Sequence, residues 1–187
     1  MRIFATADLH GRPDRVEAVR RAAAELQPDV VILAGDITHA GKGTEALALL
    51  DELPGVVIAI PGNMDTFEVD GTIGRSRARN PNHGVIEHDG VRFCGLRNEP
   101  CDVLVVHEPP YGVLDRTRTG QHIGSRSVRD FVLRLRPRLV VCGHVHESPG
   151  IKPLGETTVV NCTMGDDKTL GALVTWGHEP RVDLLPR

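Results

Sequence analysis

Aromatic side chains are scarce: four Phe, one Tyr and one Trp among 187 residues. Platforms that stack single-stranded nucleic acid need several such rings, so that mode of binding is not expected. Neither sign of charge dominates, with 22 Lys and Arg against 25 Asp and Glu and a formal net charge of −3. Without a basic excess there is no strong electrostatic footprint for nucleic acid. No apolar run approaches the ~18–20 residues that cross a bilayer, so no membrane span is expected. No C-x-x-C pair occurs among Cys94, Cys101, Cys142 and Cys162, which stand apart and mostly within apolar runs. Four buried, free thiols in a reducing compartment are the expectation. Met1 leads at once into strand-like residues 2–6, leaving no room for a signal peptide and implying a cytoplasmic protein. Repeats, low-complexity segments and linkers are also absent, and the length suits one domain over residues 1–187.

What is present is a set of short apolar runs. Residues 3–6, 30–34, 56–60, 103–106 and 139–142 read as strands covered on both faces. The segment after Pro13 carries Val16, Val19, Ala23 and Leu26 at helical spacing and is stopped by Pro28. A second helix is expected through Leu47, Leu49, Leu50 and Leu53. Strands alternating with helices in this way imply a parallel sheet with right-handed crossovers. Residues 66–82 lose the pattern and read as a loop or a frayed short helix. Asp89-Gly90 between residues 85–88 and 91–94 signals a hairpin. Residues 108–124 form a long polar loop, and Ser125 caps a helix carrying Val128, Phe131, Val132 and Leu135. Short strands are expected at 158–161, 170–176 and 182–185.

The strand ends carry the chemistry. Asp8 and His10, Asp36, Asn63, His107, and then His144 and His146 each follow an apolar run. In open α/β sheets that edge is where ligands bind, because the loops diverge there. Singly, each has a bland account, since a lone Asp or Asn after a strand is usually a turn or cap residue. Together they require an accident at every strand end. Were Gly143-His144-Val145-His146 extended, both imidazoles would face one point and clamp a metal. Seven ligands exceed the needs of one zinc or manganese but suit two divalent ions sharing a carboxylate. Two ions ~3.5–4 Å apart clamp a phosphoryl group and lower the pKa of a shared water, which attacks phosphorus in line. A nitrogen and oxygen set without thiolate favours Mn, Fe, Zn or Ni, with Mn the first choice.

Asp8-x-His10, Gly35-Asp36, Gly62-Asn63-x-Asp65, His107 and Gly143-His144-x-His146 resemble, in order, the motifs of the calcineurin-like metallophosphoesterases. The resemblance implies a four-layer α/β/β/α sandwich of two mixed sheets. It also implies that Asp8, His10, Asp36 and His146 hold one metal. Bridging Asp36, Asn63, His107 and His144 would hold the other, each histidine of the last motif thus serving a different ion. The loop from His107-Glu108-Pro109-Pro110-Tyr111-Gly112 to Asp115 and Gly120-x-His122-x-Gly124-Ser125 resembles the Icc-related phosphoesterases, which points to phosphodiesters. The expected activity is a dinuclear metal-dependent phosphodiesterase acting on a small phosphodiester or nucleotide-like substrate. The alternatives are a phosphomonoesterase on a nucleotide or phosphorylated metabolite, a non-catalytic metal-binding interaction module, and a nuclease. Homo-oligomerisation is left open.

One position departs from the resemblance. The family's third motif usually reads Gly-Asn-His, and its histidine is credited with protonating the leaving group; here Met64 stands there. A thioether donates no proton. His122 is the first candidate to replace it, in catalysis and in substrate binding, and His39 the second, although a surface histidine is the plainer account of each. Asp36, Asn63 and His144 are the other catalytic candidates. Asp65 is expected to orient a neighbouring ligand. Arg12 and Asn63 are candidates to contact the phosphate, with a solvated helix-start arginine the alternative for Arg12. Arg75, Arg77 and Arg79 read either as a phosphate-facing rim or as a solvated loop.

Overall fold

Apolar runs bounded by Gly, Pro and Asp become the strands that their period implies. The computed structural model describes all 187 residues. The chain forms β1 (Arg2–Thr6), α1 (Pro13–Leu26), β2 (Val30–Ala34), a 3-10 turn (Thr44–Ala48), α2 (Leu49–Glu52) and β3 (Val56–Ile60). Next come α3 (Phe67–Arg75), β4 (Ile86–His88), β5 (Val91–Cys94), β6 (Val103–Val105), α4 (Arg126–Leu135) and β7 (Leu139–Cys142). It closes with β8 (Gly150–Leu154), β9 (Thr157–Asn161), β10 (Thr169–Thr175) and β11 (Arg181–Pro186).

One sheet has the order β11-β10-β1-β2-β3, with β1, β2 and β3 parallel and β10 antiparallel to β1. The other has the order β4-β5-β6-β7-β9-β8, parallel from β5 to β9 with an antiparallel strand at each edge. Both sheets are therefore mixed. Alternate residues of each strand enter different apolar layers, which is why the runs are apolar throughout. Ile3, Ala5, Ile32 and Ile58 meet Phe93, Val105, Val141 and Val160 between the sheets. Phe4, Val31, Leu33 and Val57 point the other way, against Val16 and Val19 of α1, Leu49 and Leu50 of α2, and Ile73 of α3. Val128, Phe131 and Val132 of α4 cover Leu104, Val140 and Val159. The result is an α/β/β/α sandwich, and the parallel strands of both sheets send their carboxyl ends to one region.

Several local readings change. The second helix shrinks to a 3-10 turn and a single α-helical turn. Of the two readings of residues 66–82, the short helix holds over Phe67–Arg75 as α3, whose buried residues are only Val69 and Ile73. Two inward residues, with Gly71 and Gly74 among the rest, are too few for the sequence period to register. Strand β8 was not anticipated, because its residues 151–153 are exposed and it sits at a sheet edge. The cysteines also differ from expectation: Cys94 and Cys101 form a disulfide, with Cα atoms 5.9 Å apart, and only Cys142 and Cys162 are free and buried. The physical reason is the pairing of β5 with β6 as parallel neighbours, which folds the intervening loop back on itself.

Candidate metal centre

Four of the seven ligand candidates are delivered through sharp local turns. Asp8 (φ 63°), His10 (52°), Asp36 (51°) and His144 (71°) all have left-handed backbones. That region is costly for side-chain-bearing residues and concentrates at functional sites. It corrects the extended reading of Gly143-His144-Val145-His146, since His144 turns away from the strand direction. The turns are locked to one another: Asp8 N–H donates to Gly35 O (3.0 Å) and His10 N–H to Asp36 O (2.8 Å). Glycine precedes the ligands where backbones crowd. A Cβ on Gly62 would lie 2.1 Å from Asp36 Oδ1, and one on Gly143 would lie 2.6 Å from Asp8 Oδ2.

The candidate ligands Asp8, His10, Asp36, Asn63, His107, His144 and His146 are brought together. Asp8 is fully buried, and its Oδ2 accepts from the His144 N–H at 2.9 Å. Its Oδ1 has no hydrogen-bond partner. That oxygen lies 3.4 Å from His146 Nε2 and 4.0 Å from both His10 Nε2 and His107 Nε2. His10 Nε2 and His146 Nε2 face each other at 3.2 Å. An orphaned buried carboxylate oxygen ringed by imidazole nitrogens is costly by itself and fits a cation among them. Asp36 Oδ2 stands 3.8 Å from His10 Nε2 and 3.4 Å from His107 Nε2, between the two groups. Asn63 Oδ1 lies 3.0 Å from His107 Nε2 and 2.8 Å from His144 Nδ1. His107 Nδ1–H donates to Ala34 O at 2.9 Å, which leaves Nε2 for the centre.

Asp65 does not enter the centre. Its carboxylate accepts from the N–H groups of Ile37 (3.1 Å), Thr38 (2.7 Å) and Gly62 (2.9 Å), and from Thr38 Oγ1 (2.8 Å). It thereby ties the turn holding Asp36 to the turn holding Asn63.

A cavity of about 520 Å³ opens over the centre, with Arg12, Arg15, His39 and Met64 in its wall beside five of the ligand candidates. The exposed His39 sits against His10, with their Nδ1 atoms 3.2 Å apart. His122 lies elsewhere. Its Nδ1 is 2.6 Å from buried Asp115 Oδ1, its Nε2 accepts from Arg116 Nε, and it faces a separate cavity with Glu147 and Lys152. Arg12 reaches the cavity but is already paired with Asp14 and Asp167. Arg77 is engaged with the Gly55 carbonyl rather than with the cavity. Sequence reading missed Arg15, a buried arginine that donates to the Asp8 carbonyl and to Asp167 (2.9 Å). Nothing in the helical pattern distinguishes it from the other arginines of α1.

Charge among the ligand side chains is shared unevenly. Burial pulls His107 down, but its contact with Asp36 and the charges of Asp8 and Asp36 outweigh it and push it up to about 9. Burial raises Asp8 and Asp36, yet His146 and His107 overcome it for Asp8, and His107 with the Met64 N–H for Asp36, so both end lowered. A raised histidine stabilises the fold fully below its ordinary value of 6.5, and that stability is lost as pH rises through about 9. Chelator-treated protein is therefore expected to lose ~2–3 kcal/mol between pH 6.5 and 9.5. Denaturant titrations at the two pH values check this, and equal midpoints would show that His107 is neutral throughout.

A family model described as calcineurin-like phosphoesterase matches residues 1–148 of the chain. An uncharacterised protein of Methanocaldococcus jannaschii, MJ1162, is 32% identical, with 86% of this chain and 87% of that protein covered. The human metallophosphoesterase domain-containing protein 1 is 40% identical over 35% of this chain and 21% of its own length. A solved structure described as a novel archaeal phosphodiesterase superposes with a TM-score of 0.61 at 16% identity, covering 99% of this chain and 100% of that one. No helix is long and apolar enough to cross a membrane.

Proposed function

Because the chain belongs to the calcineurin-like phosphoesterase family, we propose that it is a dinuclear metal-dependent phosphodiesterase. The observation that carries this reading is Asp36 Oδ2, set between His10 and His107 at 3.8 and 3.4 Å, a position from which one carboxylate would serve two ions. Asp8, His10, Asp36 and His146 would hold the first ion, and Asp36, Asn63, His107 and His144 the second. The donors are nitrogen and oxygen only, which suits Mn first and Fe, Zn or Ni as alternatives. Divalent cations bound there would supply Lewis acidity, making a water more acidic and screening phosphoryl charge.

The chain's own groups do the rest. His107, pinned by the Ala34 carbonyl, and Asn63, held against His107 and His144, keep the ligand atoms converged. His39 is the one imidazole of the cavity wall outside the ligand set, and so the group placed to protonate a departing alkoxide. Arg12 reaches the same wall, and exchanging Asp167 for a phosphate oxygen would cost it little at an exposed site. Met64 stands in that wall and contributes neither proton nor charge.

The test is metal-reconstituted hydrolysis of bis(4-nitrophenyl) phosphate, 4-nitrophenyl phosphate, and 2′,3′- and 3′,5′-cyclic nucleotides with Mn, Ni, Zn or Fe. Diester cleavage is expected. Activity on monoesters alone would point to a phosphomonoesterase, and no activity with any metal would favour a binding module. Met64→His is expected to raise kcat about tenfold on nucleotide diesters, whose leaving groups need a proton. Aryl diesters, whose phenolates leave unaided, should change little. A gain confined to aryl esters would remove Met64 from the leaving-group side.

A further inference from the structure

A second cavity, of about 330 Å³, opens beside the same centre. Asn63 and His107 are in its wall, together with Leu96, Asn82, Glu108 and Val128. Asn63 is the one lining residue that it shares with the first cavity. A phosphodiester bound at the centre has two ester arms to accommodate, whereas a monoester has one.

The wall is built to receive something. Leu96 is 46% exposed, although most large apolar side chains of this protein are buried. Its loop is tethered on both sides: Gly95 N–H donates to Pro81 O at 3.0 Å, and Arg97 Nη1 to Asn82 O at 3.0 Å. The Cys94–Cys101 disulfide closes the base of that loop. An exposed leucine held this way is a preformed apolar contact with little ordering left to lose on binding.

The two cavities differ in charge. Arg12, Arg15 and His39 line the first, where they suit the negative charge that develops on a leaving group. In the second, the charged side chain outside the metal ligands is the carboxylate of Glu108, which repels an arm bearing its own phosphate or carboxylate.

We propose that the second cavity holds the retained ester arm of the substrate and selects an uncharged alcohol with an apolar face, packed on Leu96. This rests on the phosphodiesterase reading and narrows it to small diesters, because the next phosphate of a longer strand would meet Glu108.

The experiment uses metal-reconstituted wild type, Leu96→Ser and Leu96→Met. KM is measured for bis(4-nitrophenyl) phosphate and 4-nitrophenyl phosphate, which share a leaving group and differ in the retained arm. Calorimetry supplies Kd for diphenyl phosphate and for inorganic phosphate, which has no ester arm, on the same proteins. Leu96→Ser is expected to raise the diester KM and Kd about fivefold, with the monoester KM and the phosphate Kd within about twofold and Leu96→Met close to wild type. Equal changes for diester and monoester, or none for either, would overturn the assignment. If no metal supports diester hydrolysis but diphenyl phosphate still binds in a Leu96-dependent way, the catalytic reading fails and the cavity assignment stands.

Discussion

Asp36→Asn is expected to lower kcat/KM at least ~10³-fold and to reduce the metal bound per chain, both read on protein loaded under identical conditions. The asparagine oxygen can keep the hydrogen bond that Asp36 Oδ1 accepts from the Met64 N–H at 2.8 Å. Its amide nitrogen then falls at the Oδ2 position and turns two hydrogens toward His10 and His107, where a shared anion is needed. The fold should survive, since Asp36 is replaced by a group of its own shape. Metal that raises the Tm of wild type should therefore raise that of Asp36→Asn much less. Equal activity and equal metal content in the variant would dismiss Asp36 as the shared ligand.

Asp65→Ala is expected to cost ~2–4 kcal/mol of stability and ~10–100-fold in metal affinity without removing any ligand. Four donors converge on that carboxylate, from Ile37, Thr38 and Gly62, and the alanine leaves them without an acceptor. The two turns that carry Asp36 and Asn63 then lose their common tie. Asp65→Asn should recover only part of the loss, because one of its two amide atoms is a donor facing donors. Denaturant unfolding of the chelated variants, beside metal titration, separates the two effects. A variant with wild-type stability and weakened metal binding would mean that Asp65 touches the ion directly.

The motif resemblance places Asn63 among the ligands and Asp65 behind them, but only the fold supplies the partners: the Asn63 side chain joins the centre, while Asp65 turns back to the N–H groups of Ile37, Thr38 and Gly62. His122, the first candidate for the missing histidine, is drawn into another cavity by its Asp115 partner, whereas His39, the second candidate, reaches the first cavity. Arg15 could not be singled out, because its role is to bond the Asp8 carbonyl and Asp167, and that requires the last strands to pack beside α1. The Cys94–Cys101 bond depends likewise on which strand lies next to β5.

What the sequence determined by itself is the alternation of buried strands and helices, and the ligand-type residues placed after five of the parallel strands, β1, β2, β3, β6 and β7. Those features are local: apolar periodicity, a stopping glycine and a polar residue lie within a few positions of one another. Only the tertiary structure decided which ligands converge. His10 and His146 are 136 residues apart in the chain and 3.2 Å apart in space. Their meeting, the left-handed turns that aim Asp8, Asp36 and His144, and the unpartnered Asp8 oxygen arise from two sheets packed face to face. No window of residues contains both sheets, and the second cavity, walled by loops from each, appears only when they close on one another.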